Sequence, residues 1–121
     1  MADLVVTVPK WFWSEWIAEG DAVGEPETGE EWGYSTCPRP PIEPGERLYI
    51  VAHGKLRGYA PVTRVVRAEH DGRNNTPRFE ICRRAGAVAI TIDEPIHGFR
   101  GWRRVWWPRD AERPFPEWRA P

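Results

Sequence analysis

Residues 44–62 read Pro44-Gly45-Glu46-Arg47-Leu48-Tyr49-Ile50-Val51-Ala52-His53-Gly54-Lys55-Leu56-Arg57-Gly58-Tyr59-Ala60-Pro61-Val62. Pro44-Gly45 is a turn signal, and the β-branched and aromatic run at 47–53 predicts a strand. Gly54 to Gly58 reads as a tight connection, and residues 59–67 as the next strand. Pro61 places that strand near a sheet edge, because proline cannot donate to a ladder. A lone hairpin is marginal in water, so the flanking segments must supply further partners.

Upstream, Leu4-Val5-Val6-Thr7-Val8 predicts a short buried strand ended by Pro9. Residues 10–19 predict a helix, with Trp13, Trp16 and Ile17 on one face and Phe12 beside Trp16. Pro9 suits its first turn and Gly20 its C-terminal stop. Residues 20–46 are broken by Gly and Pro and read as a long loop holding Trp32 and Tyr34; loops of that length are often functional. Downstream, residues 70–77 form a polar turn, 78–83 a short strand, 87–92 an alternating strand and 99–107 a last strand. The Pro-rich tail 108–121 predicts no regular structure. One N-terminal helix and five or six strands give an α+β class, a small β-barrel-like single domain spanning 1–121.

The whole chain has 121 residues, one domain's worth, and its formal net charge is −1. That small net charge conceals an imbalance. Residues 1–60 hold ten acids and five bases, whereas residues 61–121 hold twelve arginines and eight acids. Either the second half presents an electropositive face to an anionic partner, or the halves interleave and neutralise each other. No apolar run approaches the roughly 20 residues of a membrane helix. The start lacks the basic region and long apolar stretch of a signal peptide, so a cytoplasmic location without membrane contact is expected. Cys37 and Cys82 then read as two free thiols. The three histidines are scattered and no CxxC or HExxH spacing occurs, so neither a metal site nor a cofactor is expected.

Eight tryptophans against fifteen arginines make the candidate chemistry. As a strand, residues 99–107 would set Arg100, Trp102, Arg104 and Trp106 on one face, a pattern suited to stacking bases and pairing phosphates. The alternative is that Trp106 or Trp107 packs in the core beneath covering arginines. His53, Lys55, Arg57 and Tyr59 sit among Gly54 and Gly58, either as an anion contact or as an ordinary hairpin tip. Glu19, Asp21, Glu94 and His53 are available for acid–base work, but no spacing pairs them and no nucleophile motif appears.

The turn, strand and GxhxG-like run at 44–62, preceded by Trp13–Gly20 as a helix, resembles the centre of PUA-like domains of the ASCH and EVE type. Glu46 stands where that family usually has Asp. The resemblance implies a small β-barrel with a cleft for RNA, DNA or a modified nucleobase. Some ASCH relatives hydrolyse acylated cytidines with a Lys and a Thr after the helix and a later Glu. Here Asp21-Ala22-Val23-Gly24 follows the helix without a Lys, so that constellation does not transfer. The EVE-like counterpart is an aromatic cage, for which Trp32, Tyr34 and Trp102 are the residues of the right type.

Three functions compete on these grounds. The first is a module binding nucleic acid or a modified nucleobase through Trp32, Tyr34, His53, Lys55, Arg57, Tyr59, Arg100, Trp102 and Arg104. The second is an amidohydrolase or ribonuclease on the same fold. The third is a small accessory or phage-type inhibitor acting by protein contact through the acidic stretch Glu25–Glu31.

Overall fold

The alternation at 47–62 folds as a hairpin in the computed structural model, which describes residues 2–18, 22–26 and 28–121. Strand β3 (Arg47–Ala52) pairs antiparallel with β4 (Lys55–Arg67), in register from Arg47 opposite Pro61 to Ala52 opposite Lys55. The turn is shorter than the sequence predicts. His53 and Gly54 make it alone, both with positive φ (49° and 72°), as a two-residue hairpin turn of the twist-matching kind requires. Residues 55–58, expected as connection, are therefore strand.

Among the described residues six strands make the main sheet. Strand β1 (Leu4–Thr7) lies parallel to β3, β2 (Glu31–Thr36) is antiparallel to β5 (Phe79–Arg84), and β7 (Trp102–Arg104) is antiparallel to β1. The order is β2-β5-β4-β3-β1-β7. A separate two-stranded sheet joins β6 (Ile90–Thr91) to β8 (Arg113–Pro114). The architecture is α+β, as expected, with eight strands among the described residues rather than five or six.

The 13-residue strand β4 shapes the whole. Its first half pairs with β3 and its second half with β5, and register shifts interrupt both ladders. Such bulges bend a strand and raise its twist. The sheet consequently curls until its two edges approach each other: the Tyr34 hydroxyl on β2 donates to the Gly101 carbonyl beside β7 (3.3 Å). No backbone ladder joins those edges, so the expected closed barrel is not formed among the described residues. Both edges are short, and aromatic side chains stand in the gap.

Side chains alternate between two apolar clusters. Leu4, Val6, Leu48, Ile50, Val62 and Ile81 face one side, where Trp13, Trp16 and Trp118 cover them. Val5, Tyr49, Val51 and Leu56 face the other, under Ile92, Ile96 and Trp107. Being buried on both faces explains why β1 and β3 are apolar at nearly every position. Helix α1 (Trp13–Ala18) follows a 3-10 turn at Lys10–Phe12, and its Trp13 and Trp16 are buried as predicted. The predicted helix end at Glu19–Gly20 lies outside the described residues.

Three further expectations change. The stretch 20–46 is not all loop, because β2 runs through it. The strand expected at 99–107 is regular only at β7, with Gly101 at φ 70° just before it. The strand expected at 87–92 touches β4 by one bridge, Val88 to Tyr59, and then leaves to pair with the tail. That tail is ordered: Phe115 and Trp118 are buried in the first cluster.

Candidate functional site

Where the sheet curls without closing, a cavity of about 380 Å³ opens between β1, β3 and β2. Val6, Leu48 and Ile50 form its apolar floor, with Phe12 and Trp16 from the turn and helix on one wall. Trp32 and Tyr34, two residues apart on β2 and so on one face, form the other wall. Arg83 completes it from β5, directly opposite Trp32 in the ladder.

The polar atoms here are mostly donors. The Trp32 indole N–H is buried and has no hydrogen-bond partner among the described residues. A buried donor left unmet costs on the order of 1–3 kcal/mol, so such an atom marks a place where an acceptor is wanted. Arg83 is only 3% exposed; its Nη1 donates to the Arg84 carbonyl (2.8 Å), and its Cζ lies 5.9 Å from the centroid of the Trp16 ring. Burial pushes the Tyr34 phenol above its ordinary range, partly offset by Arg78, so it stays a neutral donor. Among the described residues the lining holds no carboxylate, Cys or His. Glu19 and Asp21, named above for acid–base work, lie outside the described residues.

The other predicted residues separate into groups. Trp102, on β7, packs against the first cluster and does not line the cavity. His53 and Arg100 share an adjoining hollow of about 340 Å³ with Lys10 and the segment Thr7–Pro9. Lys55 is exposed near the Phe115 ring, and Arg104 is exposed on β7. Tyr59 belongs to the second cluster, against Tyr49 and under the Arg47 guanidinium (4.0 Å).

Arg57 is the clearest correction. It is the extra residue of the β3–β4 bulge, since Ile50 faces Gly58 and Val51 faces Leu56. The bulge turns its side chain inward, where it is fully buried. Nε donates to the Ala52 carbonyl (2.9 Å), and Nη1 to the carbonyls of Trp118 (2.8 Å) and Ala120 (2.6 Å). It ties down the tail and, although its Nη2 finds no partner among the described residues, it is shut off from an external anion. Desolvation lowers its pKa, yet an arginine remains charged.

The charge imbalance along the chain also resolves. Ion pairs Arg47–Glu112, Arg64–Glu31, Arg109–Asp3 and Arg119–Glu25 each join one half of the sequence to the other. The halves interleave rather than oppose, and Glu25 and Glu31 of the acidic stretch are among the residues so paired. Trp106 is exposed, with its N–H on Glu94 (3.3 Å), while Trp107 is buried.

Phe12, Trp16 and Arg83 were not read from sequence as site residues. The first two carry only a core signal, and Arg83 joins Trp32 solely through the β2–β5 register. Set against models of known protein families, curated proteins and solved structures, the chain matches none.

Proposed function

We propose that this chain is a PUA-like domain of the ASCH and EVE type that binds a nucleobase, free or carried by RNA or DNA, in the cavity beside β2. The observation that carries this reading is Trp32 and Tyr34 standing side by side over an apolar floor, with the unmet Trp32 N–H and the Arg83 guanidinium at the wall. Indole and phenol faces stack a planar heterocycle whatever its identity. The Trp32 N–H then favours a base with a carbonyl acceptor at its edge. The volume sits at the small end of ligand pockets, suiting one base rather than a stretch of strand. On this reading the sheet is an open form of the barrel that the family resemblance implies, with the base seated in the gap between its edges.

Titration of nucleobases, nucleosides and short oligonucleotides at low salt, followed by tryptophan fluorescence and calorimetry, tests this. Trp32→Ala should weaken the best ligand about 5- to 150-fold, the equivalent of one lost base–aromatic stack. Silence across the panel, or an unchanged affinity in a folded Trp32→Ala protein, sinks the reading.

A further inference from the structure

We infer that the basic hollow adjoining the cavity holds the phosphate of the same ligand, so that the protein recognises a nucleotide unit rather than a bare base. This rests on the nucleobase reading above. Two hollows, of about 340 and 330 Å³, share Lys10, His53, Gly54 and Gly98 and form one groove. Arg100 stands at one end and His97 at the other. Pro121 lines the second hollow as well, and no side chain in the lining of either is a carboxylate among the described residues.

What the groove adds to its concavity is a pair of cations that no carboxylate side chain neutralises among the described residues, a state they share with Arg39, Lys55, Arg73, Arg103 and Arg104 elsewhere. Arg47, Arg64, Arg67, Arg109, Arg113 and Arg119 are each in an ion pair with a carboxylate. Lys10 and Arg100 have no ion-pair partner among the described residues and are both exposed. Two unneutralised cations and two imidazoles around one concavity favour an anion with several acceptor oxygens.

Position ties the groove to the base. Thr7, Val8 and Pro9 line both the cavity and the groove, so they form the rim between them. At the other side Arg100 precedes Gly101, whose carbonyl accepts the hydroxyl of the cavity residue Tyr34. A base stacked on Trp32 therefore directs its sugar over the Val8–Pro9 rim and its phosphate between Lys10 and Arg100.

The test compares a nucleoside with its 5′- and 3′-monophosphates and with a short single strand containing it, by calorimetry at low salt. One phosphate held by charge-assisted bonds should tighten binding about tenfold or more over the nucleoside. In the Lys10→Ala/Arg100→Ala double variant the ratio of nucleotide to nucleoside affinity should fall to near one. Arg73→Ala, which removes an exposed cation in a distant turn, should keep the wild-type ratio. A gain seen with monophosphates identifies a free nucleotide as the phosphate source, and a gain seen only with the strand identifies a backbone diester. Nucleoside binding with no gain from any phosphate, or a gain that survives the double variant, overturns the inference and leaves the base reading standing. Absence of binding by nucleosides, nucleotides and strands alike removes both.

Discussion

Two regions of this molecule are built from the same residue types and end in opposite states. On one side of the sheet, Tyr49, Trp107 and Arg47 surround Glu112. Its Oε2 accepts from the Tyr49 hydroxyl (2.5 Å) and the Trp107 indole (3.0 Å), and its Oε1 accepts from Arg47 (3.2 Å). On the other side, Tyr34, Trp32 and Arg83 surround a cavity, and the Trp32 indole has nothing to donate to among the described residues. A carboxylate supplied by the tail makes the first group a clamp. In the second group no carboxylate lines the cavity among the described residues, the Tyr34 hydroxyl is met by the Gly101 carbonyl, and the Trp32 N–H is the donor left facing the void. An aromatic–arginine cluster in the sequence is therefore no sign of a binding site until its acceptors are counted.

The tail is held a second time on the opposite side of the sheet, by Arg57 among Trp13, Phe115 and Trp118 of the first cluster, and the largest expected effect is there. Arg57→Ala leaves the carbonyls of Ala52, Trp118 and Ala120 without their donor and opens a void between Trp13 and Phe115. We expect a loss of about 3–5 kcal/mol, the range for breaking a buried charged contact together with large-to-small truncation. Urea denaturation measures it through the transition midpoint. A loss below about 1 kcal/mol would mean that the tail is held by Phe115 and Trp118 packing alone, and the clamp account of Arg57 would be wrong.

A matched pair of substitutions sharpens the contrast at intermediate size. Trp107→Phe removes a donor to Glu112 from a buried ring and should cost about 2–3 kcal/mol of stability, from the lost hydrogen bond and lost area. Trp32→Phe removes a donor that has no partner among the described residues, from a half-buried ring, and should cost less than about 1 kcal/mol. Ligand affinity should respond in the opposite order, with Trp32→Phe weakening the bound base and Trp107→Phe leaving it unaffected. Equal stability losses in the two variants would show that the Trp32 N–H is satisfied after all.

The unequal legibility of these regions has physical causes. The β3–β4 hairpin could be read because one alternating run dictates both its strands and its faces. Strand β2 was hidden by the Gly and Pro around it, yet Trp32, Tyr34 and Thr36 recur with period two, a strand signal that the polar intervening residues mask. Arg57 was unreadable as a buried residue, because a bulge displaces the face that periodicity assigns to it. The cavity was half legible. Trp32 and Tyr34 follow from residue type, but Arg83 arrives through strand register and Phe12 and Trp16 through the docking of α1, neither of which local sequence encodes. The last strand was over-read, since the run of Arg and Trp at 99–107 looks periodic although only three of its residues pair with β1.

The smallest expected effect separates the groove from the clamp by the behaviour of one imidazole. His53 sits edge-on to Trp13 (5.7 Å), and burial, then Arg57, then Lys10 push its pKa below the usual 6.5. A group with a depressed folded pKa takes up its proton more readily in the unfolded chain. The stability it contributes is full above pH 6.5 and is lost as pH falls from there through the folded pKa. We expect a small decline in the urea midpoint over that window, shallower in His53→Gln, measured against wild type in parallel titrations. A phosphate bound between Lys10 and Arg100 would instead favour the imidazolium. Nucleotide binding near pH 6 should then be accompanied by proton uptake, visible as a buffer-dependent enthalpy, and nucleoside binding should not. If both ligands show the same buffer dependence, His53 does not face the phosphate.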